Sequence, residues 1–119
     1  MPKIKVLITI KTDNQEEKLE TYCILEDNNL KYLEKDKTKV FLNYSKLEII
    51  RENKKIRMEL KFDIKKETSG KILIRGIQKE VIIPIKTTKI NKNNNNLQLE
   101  YQIEDQKFFY QVEEIKWVY

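Results

Sequence analysis

The sequence predicts an all-β domain, a single antiparallel up-and-down barrel of about eight to ten short strands. Three observations lead there. First, Lys55 to Ile64 alternates strictly, with Ile56, Met58, Leu60, Phe62 and Ile64 on one side of an extended chain and Lys55, Arg57, Glu59, Lys61 and Asp63 on the other. That is the pattern of a sheet with one dry and one wet face. Second, most other segments repeat it, separated by short runs of Asp, Asn and Lys. Third, no segment shows a helical stripe longer than two turns. A meander of hairpins has two bare edges, and closing it into a barrel removes both.

Taken in order, Lys3–Lys11 places Ile4, Val6, Ile8 and Ile10 on one face. After the Thr12–Gln15 turn, residues 17–26 set Leu19, Thr21, Cys23 and Leu25 on one side and Glu20, Tyr22, Ile24 and Glu26 on the other. Asp27–Asn28–Asn29 is a turn of residues that tolerate a left-handed backbone. Leu30–Glu34 is a short strand, Lys35–Asp36–Lys37 turns it, and Thr38–Asn43 returns. Tyr44–Asn53 fits two structures. Ser45 with Glu48 makes a capping box for a short helix, whereas Leu47, Ile49 and Arg51 alternate as in a strand; the β-branched pair Ile49–Ile50 favours the strand.

Beyond the 55–64 strand, Lys71–Ile77 is a strand whose Gly76 suggests a bulge or a sharp bend. In Lys79–Ile90, Pro84 lacks the ladder N–H and predicts a local edge or bulge. Asn91–Asn96 reads as a low-complexity hairpin tip. Leu97–Glu104 alternates without a fault. In Phe108–Tyr119 the apolar phase shifts between Val112 and Ile115, which predicts a bulge at Glu113–Glu114 that turns Trp117 and Tyr119 inward.

At 119 residues the chain is one domain, 1–119. It has no histidine and a single cysteine. This excludes an internal disulfide, a Cys/His zinc site and a histidine-activated nucleophile. The amino-terminal MPKIKVLITIK has too short an apolar run for a signal peptide or a membrane span, so the expected setting is cytoplasmic, with Cys23 reduced. Net charge is +5, but only Arg51, Arg57 and Arg75 of the 24 basic residues are arginine. Nucleic-acid sites lean on arginine for forked and stacked contacts, so the lysine excess reads as a solubilising wet face.

The stretch LEIIRENKKIRMELKF, with Ile49–Ile50–Arg51, a short turn, Ile56–Arg57–Met58 and Phe62, resembles the central hairpin of the YwiB-like family. The likeness extends over nearly the whole chain: Lys3–Lys11 is similar to the opening strand, Gly70 to the start of the next hairpin, Thr87–Thr88 to the end of the strand before the variable loop, and Leu97–Val112 to the closing hairpin. The resemblance implies a bacterial calycin-type, lipocalin-like barrel and supplies no activity, substrate or cofactor. The chain departs from it after Gly70, where IRGIQKEVIIP replaces the family's Thr-Pro-Tyr-Gly-like turn.

No phosphate loop, dinucleotide fingerprint or calcium loop is present. The carboxylate pairs Glu59/Asp63, Glu100/Glu104 and Glu113/Glu114 all fall on the wet face or at the expected bulge, so the expectation is a protein that is not an enzyme. The first functional expectation is a pocket for a small apolar ligand, with Thr21, Cys23, Thr87 and Tyr101 as the polar members of the inward set. Cys23 itself reads as a small buried hydrophobe. The second is an outer basic face for a protein or nucleic-acid partner, assembled from Arg51, Lys55, Arg57, Lys61 and Arg75. The exposed aromatics that nucleic-acid stacking needs are not interleaved with these residues, which weighs against that partner. No cofactor, metal or membrane partner is implied.

Overall fold

The computed structural model describes residues 3–93 and 96–115. Ten strands form one closed antiparallel barrel: β1 (Lys3–Lys11), β2 (Glu16–Glu26), β3 (Asn29–Leu33), β4 (Lys39–Asn43), β5 (Glu48–Glu52), β6 (Ile56–Lys61), β7 (Thr68–Ile74), β8 (Lys79–Lys92), β9 (Asn96–Ile103) and β10 (Gln106–Glu114). Each strand pairs with its neighbours in sequence, and β10 closes on β1 with Ile8 opposite Val112. The topology is therefore up-and-down. One end, called upper here, carries the β1–β2, β3–β4, β5–β6, β7–β8 and β9–β10 turns.

The alternation sorts side chains as expected. Val6, Ile8, Leu30, Leu42, Leu97, Leu99 and Val112 are essentially free of solvent and fill the lumen. Each such side chain contributes roughly 1.5–3 kcal/mol of burial. The β2–β3 turn places Asp27 and Asn28 at φ 48° and 68°, two successive left-handed residues of the kind that tight hairpins demand.

Residues 44–53 resolve as a turn over 44–47 followed by β5, so the strand alternative holds and the helix does not. Pro84 sits opposite Ser69 of β7, while the β8–β9 ladder begins only at Lys86. On that side β8 is locally an edge, which is how a mid-strand proline is accommodated.

Two expected irregularities are elsewhere. Gly76 lies in the β7–β8 turn and not inside a strand; a Cβ there would meet nothing within 4 Å, and its neighbour Gln78 takes the left-handed φ of 50°. No bulge occurs at Glu113–Glu114: β10 stays in register, with Val6 opposite Glu114. The inward Glu114 is tolerated because it stands at the lower end, partly exposed and within the electrostatic reach of Tyr44. The bulge of this sheet is instead in β8, between Thr87 and Lys89. The expected inward positions of Trp117 and Tyr119 lie outside the described residues, as do residues 94 and 95 of the asparagine run. What is described of that run is shorter as a loop than expected, because β8 continues to Lys92 and β9 starts at Asn96.

Gly70 is the residue whose lack of a side chain positions a wall. It faces inward on β7, and a Cβ there would stand 3.0 Å from Ile85 Cδ1, 3.1 Å from the Glu59 carbonyl oxygen and 3.1 Å from Leu60 Cδ2. Glycine lets β6, β7 and β8 draw together, so that Leu60, Phe62 and Ile85 plug that side of the barrel.

Candidate functional site in the upper barrel

The lumen is packed below and open above. A barrel of about eight strands is just filled by side chains, and width grows with strand number, so ten strands leave room. Part of that room is a partly open cavity of about 250 Å³ lined mostly by Ile10, Ile49, Met58, Leu60, Ile103 and Phe108, with Tyr101, Tyr110 and Arg51 as its polar members and Thr12, Gln15 and Glu17 among its lining. A second, more open cavity of about 610 Å³ shares Ile10, Glu17 and Arg51 with the first.

The second cavity exists because one seam of the barrel is short. β2 and β3 pair only from Glu26↔Asn29 to Ile24↔Lys31, although β2 continues upward to Glu16. Extending that register would set Tyr22 opposite Leu33, but the strands have parted there, and these two side chains are 58% and 54% exposed. Glu16–Leu19 form one lip of the resulting window, Glu34–Asp36 the other, and Ile8, Ile10, Tyr32 and Arg51 its floor.

Arg51 is the central polar group. It follows buried Ile49 by two residues on β5 and therefore points into the lumen. By the same rule Glu34 follows inward Leu30 and Tyr32. The two meet: Nε of Arg51 donates to Glu34 Oε1 at 2.9 Å, and Nη2 donates to the same oxygen. Burial by itself would lower the Arg51 pKa, but the Glu34 carboxylate outweighs it and the net shift is upward, so the guanidinium stays charged. Below the pair, the hydroxyls of Tyr32 and Tyr110 are 2.7 Å apart in a buried setting. Burial raises the pKa of both, most strongly for Tyr110, so the two phenols stay neutral across the ordinary pH range. Tyr101 is clamped between Phe62, centroids 4.8 Å apart, and Phe108, stacked at 5.2 Å. Burial raises its hydroxyl to about 12, partly offset by the positive charge of Arg51.

Of the four residues expected to line a pocket, the structure brings only Tyr101 to the smaller cavity. Thr21 and Cys23 do face inward on β2, but Cys23 is 1% exposed in the packed lumen, and burial pushes its thiol up to about 12. Thr87 is buried, and its hydroxyl accepts the Asp63 N–H at 3.2 Å, tying the β6–β7 loop to the β8 bulge. None of these three lines either of the two cavities.

The basic set is divided as well. Arg51 does not belong to the outer face, for the reason of alternation just given. Arg57 is outside and ion-paired with Glu52 and Glu59, and Arg75 reaches Glu52 at 3.3 Å. The hydrogen bond to Glu52 is the main reason the Arg57 pKa is raised. Lys55 stands in the β5–β6 turn and Lys61 is exposed at the end of β6. The arginines of this face are thus locally neutralised by glutamates.

Sequence reasoning missed Tyr32, Glu34 and Tyr110 and misplaced Arg51. A signal was present: Arg51 and Glu34 are charges standing in the apolar register of their own strands, where solvation alone does not explain them.

The fold has a solved counterpart. The crystal structure of the YwiB protein from Bacillus subtilis superposes with a TM-score of 0.58 at 16% identity, covering 96% of this chain and 91% of that one. The barrel is YwiB-like. At this identity the likeness is one of fold. No protein-family pattern matches the chain, and no curated protein sequence does.

Proposed function

We propose that this chain is a calycin-like, non-catalytic binding barrel that takes a small, largely apolar molecule into its upper end. The observation that carries the reading is the partly open cavity of about 250 Å³, walled chiefly by aliphatic and aromatic side chains and sharing Ile10, Glu17 and Arg51 with the window between β2 and β3. Ligand sites are concave, mostly apolar and furnished with a few polar groups, in the range of roughly 300–1,000 Å³. At about 250 Å³ the smaller cavity lies just below this range, so the ligand is small.

The non-catalytic part of the reading is supported by the chemistry of the groups at hand. The inward carboxylate Glu34 is held by Arg51, and the Cys23 thiol is buried and protonated, with no histidine in the chain to activate it. A cytoplasmic setting is supported by the walls: outward positions carry charges such as Lys18, Glu20, Lys31, Arg57, Glu59 and Lys71, while the packed part of the lumen is apolar. A lipid-facing barrel has the opposite arrangement. Among the described residues no helix is long and apolar enough to cross a membrane. The alternative of a basic docking face is less well supported, because its arginines are already engaged by Glu52 and Glu59.

Native mass spectrometry of freshly purified protein, together with titration of the apolar dye Nile red, tests the reading. Expected are a retained small-molecule mass or saturable one-to-one dye binding, lost in Met58→Trp, which fills the cavity. No retained mass and no saturable dye binding by the wild-type protein would refute it.

A further inference from the structure

We infer that the ligand of the upper barrel is a small monocarboxylate with an apolar body, its carboxylate bound by the Arg51 guanidinium and the Tyr101 hydroxyl. This deepens the ligand-binding reading and rests on it. The argument begins with unused donors. A guanidinium has five N–H groups. Arg51 spends two of them, one from Nε and one from Nη2, and both go to the same oxygen of Glu34. Among the described residues Nη1 has no hydrogen-bond partner, although Arg51 borders both cavities. Among the described residues the Tyr101 hydroxyl likewise has none; its ring contacts are to Phe62 and Phe108, and Tyr101 lines the same cavity within the electrostatic reach of Arg51. A phenol and a half-used guanidinium that line one largely apolar cavity thus leave donors open to whatever enters it, the Arg51 side chain being 38% exposed.

The remaining groups narrow the chemistry. Guanidinium and carboxylate match as planar forks. A multiply charged anion is disfavoured, because the mouth sets the carboxylates of Glu16, Glu17, Glu34 and Asp36 against Lys18, Lys35 and Arg51, and among the described residues Arg51 is the only cation that lines the smaller cavity. A cation is disfavoured for a different reason. Glu34 is already engaged by Arg51, and Glu17 is solvent-exposed, where an ion pair contributes little. The single negative charge of a monocarboxylate fits beside one partly exposed guanidinium, and its apolar body fits against Met58, Leu60, Ile103 and Phe108. Glu34 is then the internal competitor: it holds Arg51 when the cavity is vacant and shares it when a ligand carboxylate arrives.

Isothermal titration with octanoate, 1-octanol and octylamine at pH 7 tests this on the whole chain. Octanoate should bind more tightly than either analogue. Arg51→Gln should weaken octanoate by about ten- to hundredfold, the range for a charge-assisted hydrogen bond, while leaving 1-octanol within about twofold. Tyr101→Phe should weaken octanoate by about three- to tenfold. Because Arg51→Gln strands Glu34, a second variant guards against misfolding: Glu34→Gln removes the competitor and should tighten octanoate. If 1-octanol binds as well as octanoate and neither Arg51→Gln nor Glu34→Gln changes the octanoate affinity, the head-group assignment is overturned and the apolar-ligand reading stands. If octylamine binds best, the assignment is overturned in favour of the glutamates. If none of the three binds while Nile red does, the monocarboxylate is overturned alone; if Nile red fails as well, both readings fall.

Discussion

The buried pair of phenols makes the sharpest stability prediction. Tyr32 and Tyr110 are 6% and 5% exposed, and their hydroxyls are 2.7 Å apart, joining strands that are 78 residues apart in sequence. Replacing either by phenylalanine deletes one hydroxyl, leaves the ring packing intact and strands the other hydroxyl. The lost hydrogen bond costs about 1 kcal/mol, and an unsatisfied buried polar group carries a penalty of about 1–3 kcal/mol, so each single variant should lose roughly 1–3 kcal/mol. The double variant Tyr32→Phe/Tyr110→Phe removes both polar atoms together and should cost only about 0–1 kcal/mol. The two effects are then strongly non-additive, and the double variant should be more stable than the sum of the singles predicts by roughly 1–6 kcal/mol. Urea denaturation followed by far-ultraviolet circular dichroism measures all four corners, with the slope m required to stay constant. Additive losses in the double variant, or single variants indistinguishable from wild type, would show that the hydroxyls do not depend on each other and would refute the reasoning.

Two further outcomes follow from the geometry. Gly70→Ala should destabilise the fold by about 1–2 kcal/mol, because overpacking against the immovable Glu59 carbonyl outweighs the smaller entropy gain in the unfolded chain. Gly76→Ala, with open space around it and no positive φ, should be neutral or slightly stabilising in the same urea experiment. Alkaline pH should destabilise the protein. The Cys23 thiol and the Tyr44 and Tyr101 phenols are each raised to about 12 by burial, whereas in the unfolded chain they ionise near 8.5 and 10. Between those values the unfolded state holds fewer protons than the folded one, so the stability present below about pH 8.5 falls as pH rises toward 12. The thiol alone should account for a loss on the order of 2 kcal/mol by pH 10.5. Urea midpoints from pH 8 to 10.5 should fall for wild type and more shallowly for Cys23→Ala; equal slopes would exclude the thiol as a contributor.

Most of the strand pattern was legible because it is local. In β6, Ile56, Met58 and Leu60 had to share a face whatever the rest of the chain did, and the same holds for β1 and β9. The misplacements arose where a local signal had two meanings. Gly76 is as good a turn residue as a bulge residue, and only the pairing of Ile74 with Lys79 makes it a turn. The phase shift after Val112 looked like a bulge because an inward glutamate is costly in a core, but Glu114 stands at a barrel end where that cost is small. For the site, the alternation by itself reveals Arg51 as inward once Ile49 is known to be buried.

The sequence alone determines which side of each strand is dry, where most turns fall and which chemistry is excluded by the lack of histidine. Those properties depend on residue identity and on a period of two, both readable within a few positions. The tertiary structure decides what the inward polar groups meet. It closes β10 on β1, halts the β2–β3 ladder at Ile24, and so brings Arg51 to Glu34 and Tyr32 to Tyr110 beside an apolar cavity. Closure and register join residues far apart in the chain, and no local period encodes them.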